Sequence, residues 1–160
     1  MPPHLRPCPN DDPAFLALVA ELDAFLAITD GDEHGFYDQF NGTEALDYAV
    51  VLEEAGSPVG CGALRRAKGI GETAGAARPG TFELKRMYVA EVARGRGLAV
   101  ALLRHLEDEA RRRGATRLIL ETGTRQRAAV RLYEREGYCR IPNYPPYDGM
   151  ADSLCYERPL

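Results

Sequence analysis

Thr81-Phe82-Glu83-Leu84-Lys85-Arg86-Met87-Tyr88-Val89, followed after four residues by Arg94-Gly95-Arg96-Gly97-Leu98-Ala99, is the stretch on which the rest of the chain depends. The first segment is apolar at most positions and rich in residues that suit a half-buried strand, so it predicts a strand over 81–89. Strict alternation would set Glu83, Lys85, Met87 and Val89 on one face, and Leu84, Arg86 and Tyr88 on the other. The glycine-rich turn then opens a helix over 98–113. In that helix Leu98, Ala101, Leu102, His105, Leu106 and Ala110 recur at helical spacing, and Gly114 stops it. A strand, a basic glycine turn and a helix N-terminus together make an anion site, because the first helical N–H groups lack partners and the helix dipole favours negative charge.

Working outward, residues 4–8 predict a short first strand. Asp11-Asp12-Pro13 predicts a helix start, with an acidic cap and a proline in the first turn. Phe15, Leu16, Leu18, Val19, Leu22, Phe25 and Leu26 carry its period to about Ala27, and Asp30-Gly31-Asp32 breaks it. Glu33–Asn41 reads as a second short helix, with Phe36 and Phe40 toward a core and His34, Tyr37, Asp38 and Asn41 toward a cleft. Residues 48–52 and 59–64 read as a hairpin about a turn at Glu54–Pro58, and residues 67–80 as a loop. Beyond Gly114, the pattern predicts a strand at 117–121, a helix at 126–136 with Ala129, Val130, Leu132 and Tyr133 inward, and two strands at 138–141 and 153–157. A stiff loop bearing Tyr144 and Tyr147 joins those two strands. The expectation is one mixed α/β (α+β) domain over residues 1–160, with a sheet of about six to seven strands flanked by helices.

A chain of 160 residues suits a single core. No apolar run approaches the roughly 20 residues that span a bilayer, and the first residues lack a signal peptide's apolar segment, so a cytoplasmic protein without membrane contact is expected. Cys8, Cys61, Cys139 and Cys155 form no Cys-x-x-Cys pair and read as buried thiols, with a Cys139–Cys155 disulfide left open. The three histidines, His4, His34 and His105, show no ligand spacing, and no metal is expected. The net charge of -4 is unevenly spread: residues 1–80 hold 5 Lys/Arg against 13 Asp/Glu, and residues 81–160 hold 15 against 11. This suits a basic side for an anionic cofactor and an acidic side for a cationic acceptor, or simply two differently solvated surfaces. No basic stripe interleaves with aromatics, so nucleic acid is not an expected partner.

Two phosphate-binding motifs compete for residues 94–99. A P-loop fails, since no Gly-Lys-Ser/Thr follows. A dinucleotide fingerprint nearly matches, with Gly95 and Gly97 in place and Glu121 ending the next strand, but Val100 stands where its third small residue belongs. A third pattern fits better. Arg94-Gly95-Arg96-Gly97-Leu98-Ala99 resembles the Q/R-x-x-G-x-G/A motif of the GNAT superfamily of acyl-CoA N-acyltransferases. Gln126-x-x-Ala129-Val130-x-Leu132-Tyr133-x-x-x-Gly137-Tyr138 resembles that family's N-x-x-A-I-x-L-Y-x-x-x-G-F helix. The similarity covers about residues 46–141 well and the first 45 weakly.

The resemblance implies a sheet splayed at the central strand. Backbone groups of Met87, Tyr88 and Val89 would hold the pantetheine arm of acetyl-CoA, and Arg94, Gly95, Arg96, Gly97, Leu98 and Ala99 its pyrophosphate. Gln126 stands where the family usually has Asn. Tyr133 matches the tyrosine that protonates the leaving thiolate, against a bland reading as a core tyrosine. Glu83 sits where some members carry a general base, or else pairs with a neighbouring cation. His34, Tyr37, Asn41, Arg86 and Tyr144 are candidate acceptor-site residues. Arg86 would grip a substrate carboxylate unless it forms a structural ion pair. Cys61 as an acyl carrier lacks a His-Asp framework. The expected activity is acetyl transfer from acetyl-CoA to a primary amine of a small molecule, amino acid or polyamine-like, by direct transfer. The alternatives are a protein or peptide N-acetyltransferase, or an inactive CoA-binding sensor. A homodimer is compatible with all of these.

Overall fold

The computed structural model describes residues 2–30, 46–67 and 78–160. The elements are β1 (His4–Cys8), α1 (Pro13–Asp30), β2 (Tyr48–Glu54), β3 (Ser57–Arg66), β4 (Thr81–Val89), a single 3₁₀ turn (Glu91–Ala93), α2 (Leu98–Arg112), β5 (Arg117–Gly123), α3 (Arg127–Arg135), β6 (Cys139–Ile141) and β7 (Ser153–Pro159). The strands form one seven-stranded mixed sheet in the order β1-β2-β3-β4-β5-β7-β6. Pairing is antiparallel between β1 and β2, β2 and β3, β5 and β7, and β6 and β7, and parallel between β4 and β5. The β4–β5 register runs Thr81↔Arg117, Phe82↔Leu118, Glu83↔Ile119.

The chain divides into two compact units, residues 1–65 with 85–106, and residues 66–84 with 107–160. In the first unit, α1 starts where Asp12 caps it. One carboxylate oxygen accepts from the N–H groups of Ala14 (2.9 Å) and Phe15 (3.1 Å), an arrangement that contributes about 1 kcal/mol. Arg6 holds that carboxylate and Glu53 together. Phe15, Leu18 and Val19 pack on Ala49, Val51, Cys61 and Ala63 of the β2–β3 hairpin. Phe15 is fully buried, so truncating it to Ala costs roughly 3–5 kcal/mol. Leu16 and Phe25, expected on the same apolar face, are 40% and 37% exposed; a single helix face against one sheet buries only about a third of the circumference. The hairpin turns at Ala55 and Gly56, both at positive φ (50° and 83°), which matches the twist of the flanking strands. At Gly62 a Cβ would come within 2.5 Å of the Leu106 side chain and 3.1 Å of the Met87 sulfur, so a larger residue there would have to displace those side chains.

In the second unit, β5 is buried through Leu118, Ile119 and Leu120 and pairs with β7 along its whole length. Glu107 stands four positions before Arg111, a spacing that suits a solvated helix pair, but it is buried, accepting from the Tyr138 hydroxyl (2.7 Å) and pairing with Arg158 (2.6 Å). The buried stripe of α2 is Leu98, Leu102, Leu103, Leu106, Glu107 and Ala110, and Ala101, assigned inward from spacing, is exposed. The surface pairs of this helix are Arg111 with Asp108, and Arg112 and Arg113 with Glu109. All four cysteines are free thiols, Cys61 and Cys155 buried and Cys139 exposed. Cys139 faces Glu157 across β6–β7, while Cys155 faces Ile141. No helix among the described residues is long and apolar enough to cross a membrane.

Candidate active site

Within the first unit, the functional geometry begins at Arg86. Its φ of +56° falls inside β4, a backbone conformation that costs a non-glycine residue about 1–2 kcal/mol. Three contacts hold it there. The Cys61 thiol donates to the Arg86 carbonyl (3.3 Å). The Arg86 guanidinium, its side chain 2% exposed, pairs with Asp23 at 2.6 Å and donates to the Val19 carbonyl. The residue expected to grip a substrate carboxylate is thus anchored to α1 by a carboxylate of the protein itself. Met87 lies beside Gly62, and Tyr88 packs with the α1 cluster. The 3₁₀ turn leads from β4 into the glycine loop. Burial pushes the Cys61 thiol up to about 12, so at neutral pH it is a protonated donor and not a nucleophilic thiolate.

Gly95 and Gly97 take φ of +80° and +76°, and a Cβ on either would meet nothing within 4 Å. Substitution there is opposed by backbone conformation, not by crowding. The first helical bond runs from Ala101 N–H to the Gly97 carbonyl (3.1 Å), so the amides between them have no acceptor inside the helix. The exposed loop therefore offers donors to an anion at the positive end of α2. Arg94 donates from Nε to the Val89 carbonyl (2.7 Å), and its guanidinium lies over the rings of Phe25 and Tyr88. Arg96, half exposed, makes a two-pronged pair with Glu54 of the hairpin, both bonds 2.7 Å. Glu54 and Asp23 carry no motif, and sequence spacing did not single them out.

The proton-handling candidates belong to the second unit. Glu83 is 1% exposed, and its carboxylate accepts a hydrogen bond from the Tyr144 hydroxyl at 2.9 Å. These two residues, assigned separately to base and acceptor pocket, are thus brought into direct contact. Tyr133, on the buried side of α3, packs edge-on against Tyr138. Burial, reinforced by the nearby Glu121 charge, raises its phenol well above the ordinary value, which keeps it protonated at neutral pH. Gln126 precedes the first turn of α3, and its Nε2 is buried without a hydrogen-bond partner among the described residues. An unmatched donor beside a helix N-terminus suits a carbonyl-bearing ligand arm. His34, Tyr37 and Asn41 lie outside the described residues.

Residues 16–138 match the Acetyltransferase (GNAT) family. The chain belongs to this family. It is an N-acetyltransferase, and members of the family take their acetyl group from acetyl-CoA. This GNAT chain is 33% identical over 156 residues to an IAA acetyltransferase of Azospirillum brasilense, covering 97% of this chain and 95% of that one. It superposes with a TM-score of 0.78, at 32% identity, on the crystal structure of a candidate acyl-CoA N-acyltransferase from Klebsiella pneumoniae, covering 99% and 97% of the two chains. A shorter similarity, 40% identical over 68 residues, links it to the ribosomal protein bS18 alanine N-acetyltransferase of Escherichia coli, covering 40% of this chain and 46% of that one. The open glycine loop and the α2 N-terminus within the first unit suit the anionic end of such an acyl donor.

Proposed function

We propose that this enzyme transfers acetyl from acetyl-CoA to a primary amine of a small molecule, amino acid or polyamine-like, by direct transfer within a single domain over residues 1–160. The observation that supports the chemistry most is Glu83, a carboxylate buried on β4 next to a buried phenol donor. Backbone groups of Met87, Tyr88 and Val89, the loop from Arg94 to Ala99, and Gln126 hold the donor. A free alkylamine is protonated at neutral pH, with a pKa of about 10, so it must lose a proton before it attacks.

The amine nitrogen adds to the thioester carbonyl carbon, and the C–N bond replaces the C–S bond. Nitrogen loses two protons, one before attack and one from the adduct; Glu83 takes each in turn, directly or through water, and passes it to solvent. Tyr133, held neutral by burial, gives a proton to sulfur, so CoA leaves as a thiol. Exchange with solvent then restores the proton to Tyr133. Holding amine and thioester together supplies much of the acceleration. The similarity to an IAA acetyltransferase over nearly the whole chain favours a small acceptor, and the acidic residues 1–80 favour a cationic one.

A second reading, acetylation of a protein N-terminus, draws on the 68-residue similarity to the bS18 alanine N-acetyltransferase. Thiol release from acetyl-CoA separates the two when measured with a panel of free amino acids and polyamines beside Ala-initiated peptides. The proposal requires faster release with a free amine. Release with peptides alone overturns it.

A further inference from the structure

We infer that Tyr144 is a positioning residue for Glu83, and that the loop from Asn143 to Ser153 is built as a bracket that keeps its hydroxyl on that carboxylate. This deepens the reading of Glu83 as the base and rests on it.

Both groups are nearly inaccessible, Glu83 at 1% and Tyr144 at 3%, and the hydroxyl donates to Glu83 Oε2 at 2.9 Å. A phenol exposed at a loop tip would exchange partners with water. This one does not, because the loop around it is pinned. The two N–H groups of the Asn143 side-chain amide are shared among the carbonyls of Tyr147 (3.3 Å), Met150 (3.1 Å) and Ser153 (3.0 Å). Tyr147, also 3% exposed, packs edge-on with the Tyr144 ring, with ring centroids 5.7 Å apart. The chain folds back on itself through Tyr147 N–H to the Tyr144 carbonyl (2.8 Å), Met150 N–H to the Tyr147 carbonyl (3.0 Å) and Ser153 N–H to the Met150 carbonyl (3.1 Å). The last residue of the bracket, Ser153, begins β7, which pairs with β5.

A carboxylate on a strand has free χ rotation and can face a proton donor in several ways. A phenol bond to Oε2 narrows that rotation and so sets the direction in which the carboxylate faces. Burial raises the Tyr144 phenol well above its ordinary value, with the Glu83 charge adding to it. The phenol therefore acts as a donor that orients the base and does not itself give up its proton.

The test is a double-mutant cycle on the full chain. Single-turnover acetyl transfer is measured with acetyl-CoA and the fastest amine of the panel above. Tyr144→Phe is expected to slow transfer about tenfold in the wild-type background, with unchanged KM for acetyl-CoA, and to have no effect in the Glu83→Gln background. Tyr147→Leu, which loosens the bracket without touching the hydroxyl, is expected to slow transfer less and likewise only when Glu83 is present. It serves where Tyr144→Phe loses its near-ultraviolet circular dichroism. Equal losses in both backgrounds, or none in either, overturn the positioning role while leaving Glu83 as the base. A Glu83→Gln enzyme at full rate overturns the base assignment and the bracket's catalytic role with it. A wild-type chain that acetylates none of the amines overturns both.

Discussion

The two compact units handle polar groups in opposite ways. In the first, the loop from Arg94 to Ala99 keeps its charged and hydrogen-bonding groups at the surface: Arg96 is half exposed, Gly95 and Gly97 face open space, and the α2 amides before Ala101 have no helical acceptors. In the second, three sets of polar groups are withdrawn from water and matched to one another: Glu83 with Tyr144, Glu107 with Tyr138 and Arg158, and Arg117 with Thr81 and Glu157. Under the proposed function, the difference follows from what each has to do. A dissociable anion needs donors that are accessible before it arrives and that lose little on its departure. A proton-transfer group needs a dry, fixed setting in which its protonation state is defined. Arg86 is the exception in the first unit, a buried cation whose partner Asp23 holds a strained strand in place.

That contrast can be broken at four points, in descending order of expected effect. Glu107→Ala leaves Arg158 and the buried Tyr138 hydroxyl without their shared acceptor, and should lower unfolding free energy by about 3 kcal/mol in urea denaturation without changing KM for acetyl-CoA. An enzyme of unchanged stability would mean that the buried pairs of the second unit are decorative. Tyr133→Phe should lower the single-turnover rate about a hundredfold, as expected for loss of a general acid, with acetyl-CoA affinity retained; an unchanged rate returns Tyr133 to a core residue. Gly97→Val forces a β-branched residue into positive φ, at roughly 1–2 kcal/mol, and should raise KM for acetyl-CoA about tenfold while kcat holds. Glu54→Gln frees Arg96 from an exposed ion pair that contributes no more than about 1 kcal/mol, and should lower KM for acetyl-CoA by no more than about threefold, with the gain lost at high salt.

How far the sequence discloses this arrangement depends on the range of the interactions. The strand over 81–89, the glycine turn and the helix after it are written in local chemistry, and the observed β4 and α2 start where the pattern places them. The Asp12 cap and the Ala55–Gly56 turn are local signals of the same kind. Glu107 misleads because i,i+4 spacing to Arg111 is visible along the helix, whereas its partners Tyr138 and Arg158 are 31 and 51 positions away. The positive φ at Arg86 has no glycine to announce it; it depends on Asp23, 63 residues earlier, and on Cys61. For the same reason Tyr144 reads as a pocket wall on a stiff loop, while its hydroxyl is committed to Glu83, 61 residues before it. Motif spacing singles out the proposed cofactor loop because phosphate binding uses consecutive residues. The groups around a base come from distant strands and loops, and only the folded chain brings them together.

The most direct test of the central claim compares wild type with Glu83→Gln in two measurements on the same preparation, acetyl-CoA affinity by calorimetry and single-turnover transfer to the best free amine. The account predicts equal affinity with transfer slowed about a hundredfold or more, binding and proton removal being separable. Unchanged transfer, or a loss of affinity as large as the loss of rate, would contradict it.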